Sequence, residues 1–159
     1  MFAIPGSEAG SMFSFRYDGR PSSDILSQWL RRETVESVPG GRIRHIAYID
    51  PASGLCVTAR ARTFDGDAAQ EWMLELENTG AADTAIIEDI LPLALRWDLP
   101  REAKVYLHHA KGTLCEPDDF LPSTDEVRPQ QSVTLAPRGG FASNTALPFM
   151  NLQLPGGGL

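Results

Sequence analysis

The hydrophobic positions of this chain fall in short runs separated by clusters of proline and glycine, the punctuation of an all-β protein. Phe13-Ser14-Phe15-Arg16-Tyr17 alternates aromatic and polar residues, as a strand does when one face is buried and the other wet. Asp18-Gly19-Arg20-Pro21 turns the chain. Ser22 or Ser23 can cap the one helix-like piece, in which Ile25, Leu26, Trp29 and Leu30 share a face; the alternative is a strand running straight into Arg32–Val38. Pro39-Gly40-Gly41 joins that stretch to an extended run from Arg42 to Asp50, a hairpin signal. After the turn Asp50-Pro51-Ala52-Ser53-Gly54, residues Leu55, Val57, Ala59 and Ala61 alternate with Cys56, Thr58, Arg60 and Arg62, the cleanest strand pattern in the chain. Asp65-Gly66-Asp67 turns again, and Trp72, Leu74 and Leu76 alternate with Met73, Glu75 and Glu77 up to Asn78-Thr79-Gly80.

The later half is less regular. Thr84 to Trp97 reads as one long strand or two, with Pro92 marking a bulge or an edge. Lys104–His108 is a further strand, and Val133-Thr134-Leu135 and Leu152-Gln153-Leu154 are the last two candidates. Lys111 to Pro129 is a long, acidic, proline-bearing segment that reads as a functional loop. Closely spaced strands joined by turns predict an antiparallel β-sandwich with at most one short helix. Residues 1–12 read as a flexible segment ahead of a single domain over 13–159. Trp29, Trp72 and Trp97 sit in apolar patterns that read as core.

Composition narrows the function. A chain of 159 residues, 42% apolar and 22% charged, is long enough to bury a proper core without disulfide or metal support. The net charge of −7 argues against nucleic acid and against anionic membranes. Arg31, Arg32, Arg42 and Arg44, and Arg60 with Arg62, alternate beside acids and read as solvated strand faces. Cys56 and Cys115 make neither a disulfide framework nor a metal-ligand spacing. No stretch reaches the ~18 apolar residues of a membrane span, and Met1–Ser11 lacks the pattern of a signal peptide. The expectation is a cytoplasmic protein.

Few residues can carry chemistry. His108 and His109 are adjacent on a strand and point to opposite faces, so they do not share a metal. The expected arrangement is one imidazole packed and the other facing a cleft. Asp118-Asp119-Phe120 offers two carboxylates, but neighbours on extended backbone diverge. A glycosidase needs two carboxyls about 5–9.5 Å apart on opposite sides of one sugar bond. The pair reads either as an Asx-type turn after Pro117 or as an acceptor for sugar hydroxyls. Lys111 can donate to a ligand oxygen or neutralise Asp118 or Asp119. Asp65-Gly66-Asp67 lacks the remaining ligands of a calcium loop. No phosphate loop, nucleophile elbow or dinucleotide fingerprint is present, and no cofactor or metal is expected.

One combination is more specific than its parts: His108-His109-Ala110-Lys111-Gly112, then Pro117-Asp118-Asp119-Phe120, then Ala146-Leu147-Pro148-Phe149-Met150-Asn151-Leu152 with Pro155-Gly156-Gly157-Gly158. With Trp29, the Asp50-Pro51 turn and Gly54, Glu71-Trp72 and Glu77-Asn78-Thr79-Gly80, it resembles the N-terminal region of bacterial α-galactosidases of the melibiase type, over roughly Phe13 to Leu159. Thr113 and Met150 stand where serine and a second phenylalanine are expected. The resemblance implies a β-supersandwich preceding a (β/α)8 barrel that carries both catalytic aspartates of a retaining glycosidase. It implies that this chain contains no catalytic residue. His109, Lys111, Asp118 and Asp119 would lend side chains to the site for an α-galactoside or related oligosaccharide. The partners implied are that sugar and the parent's own barrel, with homo-oligomerisation possible. The other readings are a free-standing carbohydrate-binding module and a structural sandwich without a sugar role.

Overall fold

The structure, a computed structural model, describes residues 12–67, 69–96, 98–100, 102–128, 130–140, 143–155 and 157–158. The expectations for residues 1–11 and for Trp97 lie outside the described residues. The chain divides into two compact units, Met1–Trp97 and Asp98–Leu159, where the sequence reading takes 13–159 as one domain.

The fold is all-β, sandwich-like and antiparallel, with a single short helix, as the pattern predicts. In the first unit, β1 (Ser14–Tyr17) sits between β2 (Arg20–Pro21) and β7 (Ile87–Leu91) in one sheet. A second sheet runs in sequence order through β3 (Leu30–Val38), β4 (Gly41–Ile49), β5 (Leu55–Phe64) and β6 (Gln70–Asn78). Its registers are unbroken from end to end. Tyr48 lies opposite Val57 and Val57 opposite Leu76; Ile46 lies opposite Ala59 and Ala59 opposite Leu74. Period-two alternation sends these residues to one face, where they meet Phe13, Phe15 and Tyr17 of the smaller sheet. Val57 at 0% exposure and Phe15 at 2% mark the centre of this core.

The helix region resolves both alternatives at once. Helix α1 (Ser22–Ile25) passes into a 3-10 turn over Leu26–Gln28, and β3 begins at Leu30. Ile25 and Leu26 plug one side of the core. Trp29 packs there edge-on to Tyr17, with ring centroids 5.8 Å apart. The capping expectation is corrected. Pro21 holds the N-cap position, and Ser22 is already helical. The buried Ser22 hydroxyl instead accepts from the Phe15 N–H at 3.3 Å, which satisfies a β1 donor that faces the helix.

The Asp50 turn fixes the β4–β5 hairpin. The Asp50 carboxylate accepts from the N–H groups of Ala52 and Ser53 and from the Ser53 hydroxyl, an Asx-type arrangement. Tyr17 Oη donates to the same serine oxygen at 2.9 Å, tying the turn to the opposite sheet. In β7 the irregularity lies at Asp89 rather than Pro92. Ser14 pairs with Leu91 but Arg16 with Glu88, so β7 carries one more residue than β1 between these pairs. Asp89 absorbs it with φ 49°, as the extra residue of a bulge does.

The second unit is one sheet in the order β11 (Gly157–Gly158), β10 (Asn151–Leu154), β8 (Val105–Ala110), β9 (Pro122–Val127). Two strand expectations are corrected here. Val133–Leu135 forms no strand. Pro122–Val127, read as loop, pairs with β8 from Val105↔Val127 to Ala110↔Pro122. Its proline heads an edge strand, where no inward N–H is missed. Its polar run, Ser123-Thr124-Asp125-Glu126, has no apolar alternation to announce it.

Candidate functional site

The candidate residues gather at one end of β8, where the strand runs out into the loop 111–121. The backbone there is held on both sides: the Lys111 N–H donates to the Leu121 carbonyl at 2.9 Å, and Leu147 N–H donates to the Ala110 carbonyl at 3.2 Å. Lys111 also bridges Ala146. Gly112 follows because nothing larger fits. A Cβ at this position would lie 1.9 Å from the Ser143 carbonyl oxygen and 2.8 Å from the Ala146 nitrogen.

Lys111 is the hub of the cluster. Its Nζ donates to Asp118 Oδ1 at 2.7 Å and to Glu116 Oε2 at 2.9 Å. The bond to Asp118, and next the bond to Glu116, raise the ammonium's pKa above the ordinary lysine value. The same lysine holds the Asp118 carboxyl below the usual aspartate range. Asp119 does different work. Its Oδ1 accepts from Leu114 N–H at 2.9 Å, and its Oδ2 accepts from the Thr113 hydroxyl at 2.7 Å and from Glu116 N–H at 3.2 Å. Leu114 N–H first, then the Thr113 hydroxyl, lower its pKa. Asp118 therefore reaches out of the loop while Asp119 folds into it, and the two neighbouring carboxylates diverge.

The histidines also separate. His108 shares its face with Thr124 and Gln153, and both ring nitrogens are engaged at 2.9 Å. Nε2 faces Gln153 Oε1 and Nδ1 faces the Thr124 hydroxyl. His109 lies on the opposite face beside Leu107, packed to 16% side-chain exposure, with Nε2 bonded to Asp125 Oδ2 at 3.0 Å. The structure thus brings Lys111 and Asp118 into direct contact, puts Asp119 under the same loop, and gives His109 a separate partner on β9. Sequence reasoning missed Glu116 and Asp125. Glu116 gains meaning only from the tight loop that brings it back to Lys111, and Asp125 sits on the strand that carries no periodic signal.

This end of the unit is unusual in two further respects. Cys115, Phe120 and Thr145 all hold positive φ, at 62°, 63° and 67°, a costly conformation for residues with a Cβ. Leu114, Phe120, Leu121, Phe149 and Met150 are exposed large apolar side chains in the flanking segments.

Chemically, the cluster offers a positive charge braced by carboxylates and a set of hydrogen bonds. Glu116 and Asp118 both bond one ammonium, at 2.9 and 2.7 Å. Among the described residues no group of three or more His, Cys, Asp or Glu side chains is placed to hold a metal. Both cysteines are free. No helix among the described residues is long and apolar enough to cross a membrane.

The first unit holds a cavity of about 50 Å³ between its sheets, lined by Phe13, Ile46, Ala59, Trp72 and Leu74 with Arg44 at its wall. That is room for a few waters, not a sugar ring. Trp72 at its side donates Nε1–H to the Pro92 carbonyl at 2.9 Å, so neither Trp72 nor the packed Trp29 offers a free stacking platform.

Fold and site together define an all-β sandwich-like protein with a lysine–carboxylate cluster at a strand end. Compared with known proteins, the chain matches no family model, no curated protein and no solved structure.

Proposed function

We propose that this chain is the non-catalytic N-terminal β-sandwich of an α-galactosidase-like glycoside hydrolase, and that the Lys111 cluster reaches over a barrel active site to bind the sugar. One observation carries the reading: Lys111 is braced by two carboxylates at a strained, apolar-rimmed loop, so its hydrogen-bonding groups are pre-positioned. Hydroxyl groups of a sugar are both donors and acceptors. An ammonium with its carboxylates supplies both partners within one small patch. The exposed Leu114, Phe120, Leu121, Phe149 and Met150 would be covered by the neighbouring barrel. The sequence motifs around His108, Pro117 and Ala146 support the same parentage. On this reading the parent acts in the cytoplasm on α-galactosides or related oligosaccharides.

The experiment compares two proteins. The 159-residue chain should release no nitrophenol from nitrophenyl α-galactoside, whereas the parent protein that continues beyond Leu159 should. In the parent, Lys111→Ala should raise KM more than it lowers kcat, because it removes a binding group and no acid or base. Turnover by the chain alone rejects the proposal, as does a parent whose KM is indifferent to Lys111.

A further inference from the structure

The four-stranded sheet of the first unit has two outer strands, and their sequences treat a second copy of the chain in opposite ways. Strand β3 pairs only with β4; among the described residues no strand lies on its other side. Residues Leu30 to Ser37 are all exposed, Leu30 at 51% and Val35 at 60%. A nine-residue strand with a free row of N–H and C=O groups is a template for pairing. Edge strands are usually protected by charges, and β3 carries four: Arg31, Arg32, Glu33 and Glu36.

Two of these are already used within the chain. Glu33 bonds both Arg31 and Arg44, and Arg44 first, then Arg31, lowers its pKa. Arg32 and Glu36 lie on the other face of the strand, since alternate residues share a face, and neither has an ionic partner among the described residues. Antiparallel pairing of β3 with its own copy about a two-fold axis perpendicular to the sheet keeps matching faces together, so opposed residues have the same parity. Centred on Thr34, this pairing sets Arg32 against Glu36 of the copy, twice by symmetry. Thr34 meets Thr34, and Leu30 meets Val38. Moving the centre one residue either way places Arg32 opposite Thr34 or Val38, and both ion pairs vanish.

The opposite edge behaves differently. Strand β6, aligned along its whole length about Leu74, would set Glu71 against Glu77 of the copy, and its outward face carries Glu71, Glu75 and Glu77 with Met73 between. Like charges directly opposed are destabilising. One edge is self-complementary and the other self-repelling.

We infer that β3 is a homodimerisation edge: two copies join antiparallel about Thr34, and the sheet runs continuously through both. Main-chain hydrogen bonds supply the attraction, and the reciprocal Arg32–Glu36 pairs set the register.

The test is a charge swap on the 159-residue chain, with mass in solution read by sedimentation equilibrium and folding by far-ultraviolet circular dichroism. The native chain should show a monomer–dimer equilibrium. Arg32→Glu alone and Glu36→Arg alone should each weaken it about tenfold or more, because each turns both ion pairs into like-charge contacts. The double variant Arg32→Glu/Glu36→Arg should restore dimerisation. A neutral change on β6, Glu71→Gln, should leave the dimer unchanged. A monomeric native chain at its highest soluble concentration, a dimer indifferent to both single reversals, or a double variant as weak as the singles overturns the inference.

Discussion

Gly112→Ala sets two effects of opposite sign against each other at the root of the candidate site. In the unfolded chain, alanine has fewer conformations to lose than glycine, which stabilises by about 0.4–1 kcal/mol wherever the native backbone accepts it. In the folded chain, the new Cβ would stand 1.9 Å from the Ser143 oxygen, whereas ordinary contact begins at 3.4 Å. The obstacle is main chain on both sides, Ser143 and Ala146, so no rotamer change relieves it. The segment 143–147 must retreat by about 1.5 Å, the difference of those two distances. Such a shift breaks the Thr113 N–H to Ser143 bond, now 2.9 Å, and strains the Leu147 N–H to Ala110 bond, now 3.2 Å. At about 1 kcal/mol for a bond lost and up to as much again for the strained one, the folded-state cost outweighs the unfolded-state gain, for a net destabilisation of up to about 1.5 kcal/mol. The loss should be confined to the second unit. The assay is urea unfolding followed by hydrogen exchange at the Thr113 and Leu147 amides, with β4 and β5 amides as an internal reference. Lys111 is the neighbour, so the Asp118 carboxyl should also titrate closer to its ordinary range. Unchanged or increased stability with both amides still protected would refute the reasoning.

Two further outcomes follow from the core and from the loop charges. Phe15→Ala removes a ring that is 2% exposed and lies in the central aromatic group, so urea unfolding should show a loss of about 3–5 kcal/mol, against under ~0.5 kcal/mol for the exposed Leu93→Ala; a Phe15 loss below about 1.5 kcal/mol would count against the assigned core. The Asp118 and Asp119 carboxyls are both lowered in the folded chain, so their contribution to the loop is complete above the ordinary aspartate value of about 3.9 and is lost as pH falls through their folded values. Lys111 is raised, so its contribution is complete below the ordinary lysine value of about 10.4 and is lost only as pH climbs through its higher folded value. Carboxyl carbon shifts of both aspartates and the Leu114 amide shift should therefore move together at acid pH, below the ordinary aspartate range; titration of Asp119 at its ordinary value with a silent Leu114 amide would contradict the nested geometry.

The parts of the fold that sequence made legible are those in which one face of a strand is buried and the other is wet. Leu55-Cys56-Val57-Thr58 and Trp72-Met73-Leu74 announce β5 and β6 because a single period-two pattern satisfies both the sheet and the core. Strand β9 is invisible for the opposite reason. Ser123 to Val127 gains its place from antiparallel pairing with β8, not from burying apolar surface, and its proline fits because it heads an edge. The site shows the same division. Divergence of His108 and His109 follows from strand geometry and can be read without coordinates, whereas Asp118 and Asp119, expected on extended backbone, diverge within a turn. That Asp119 is spent on the Leu114 and Glu116 amides, leaving Asp118 to Lys111, depends on a tight turn through Phe120 at positive φ, and no local propensity encodes that choice. Strain of this kind persists only where surrounding contacts over-determine it. Here the determinants are the Gly112–Ser143 approach and the Leu147–Ala110 backbone bond, which join segments more than thirty residues apart along the chain, and the more local Lys111–Leu121 bond. A residue whose position is set by so distant a partner is legible in sequence only as an isolated glycine after a lysine. Its role becomes physical once Ser143 packs against it and the neighbouring Lys111 ammonium bonds Asp118 and Glu116.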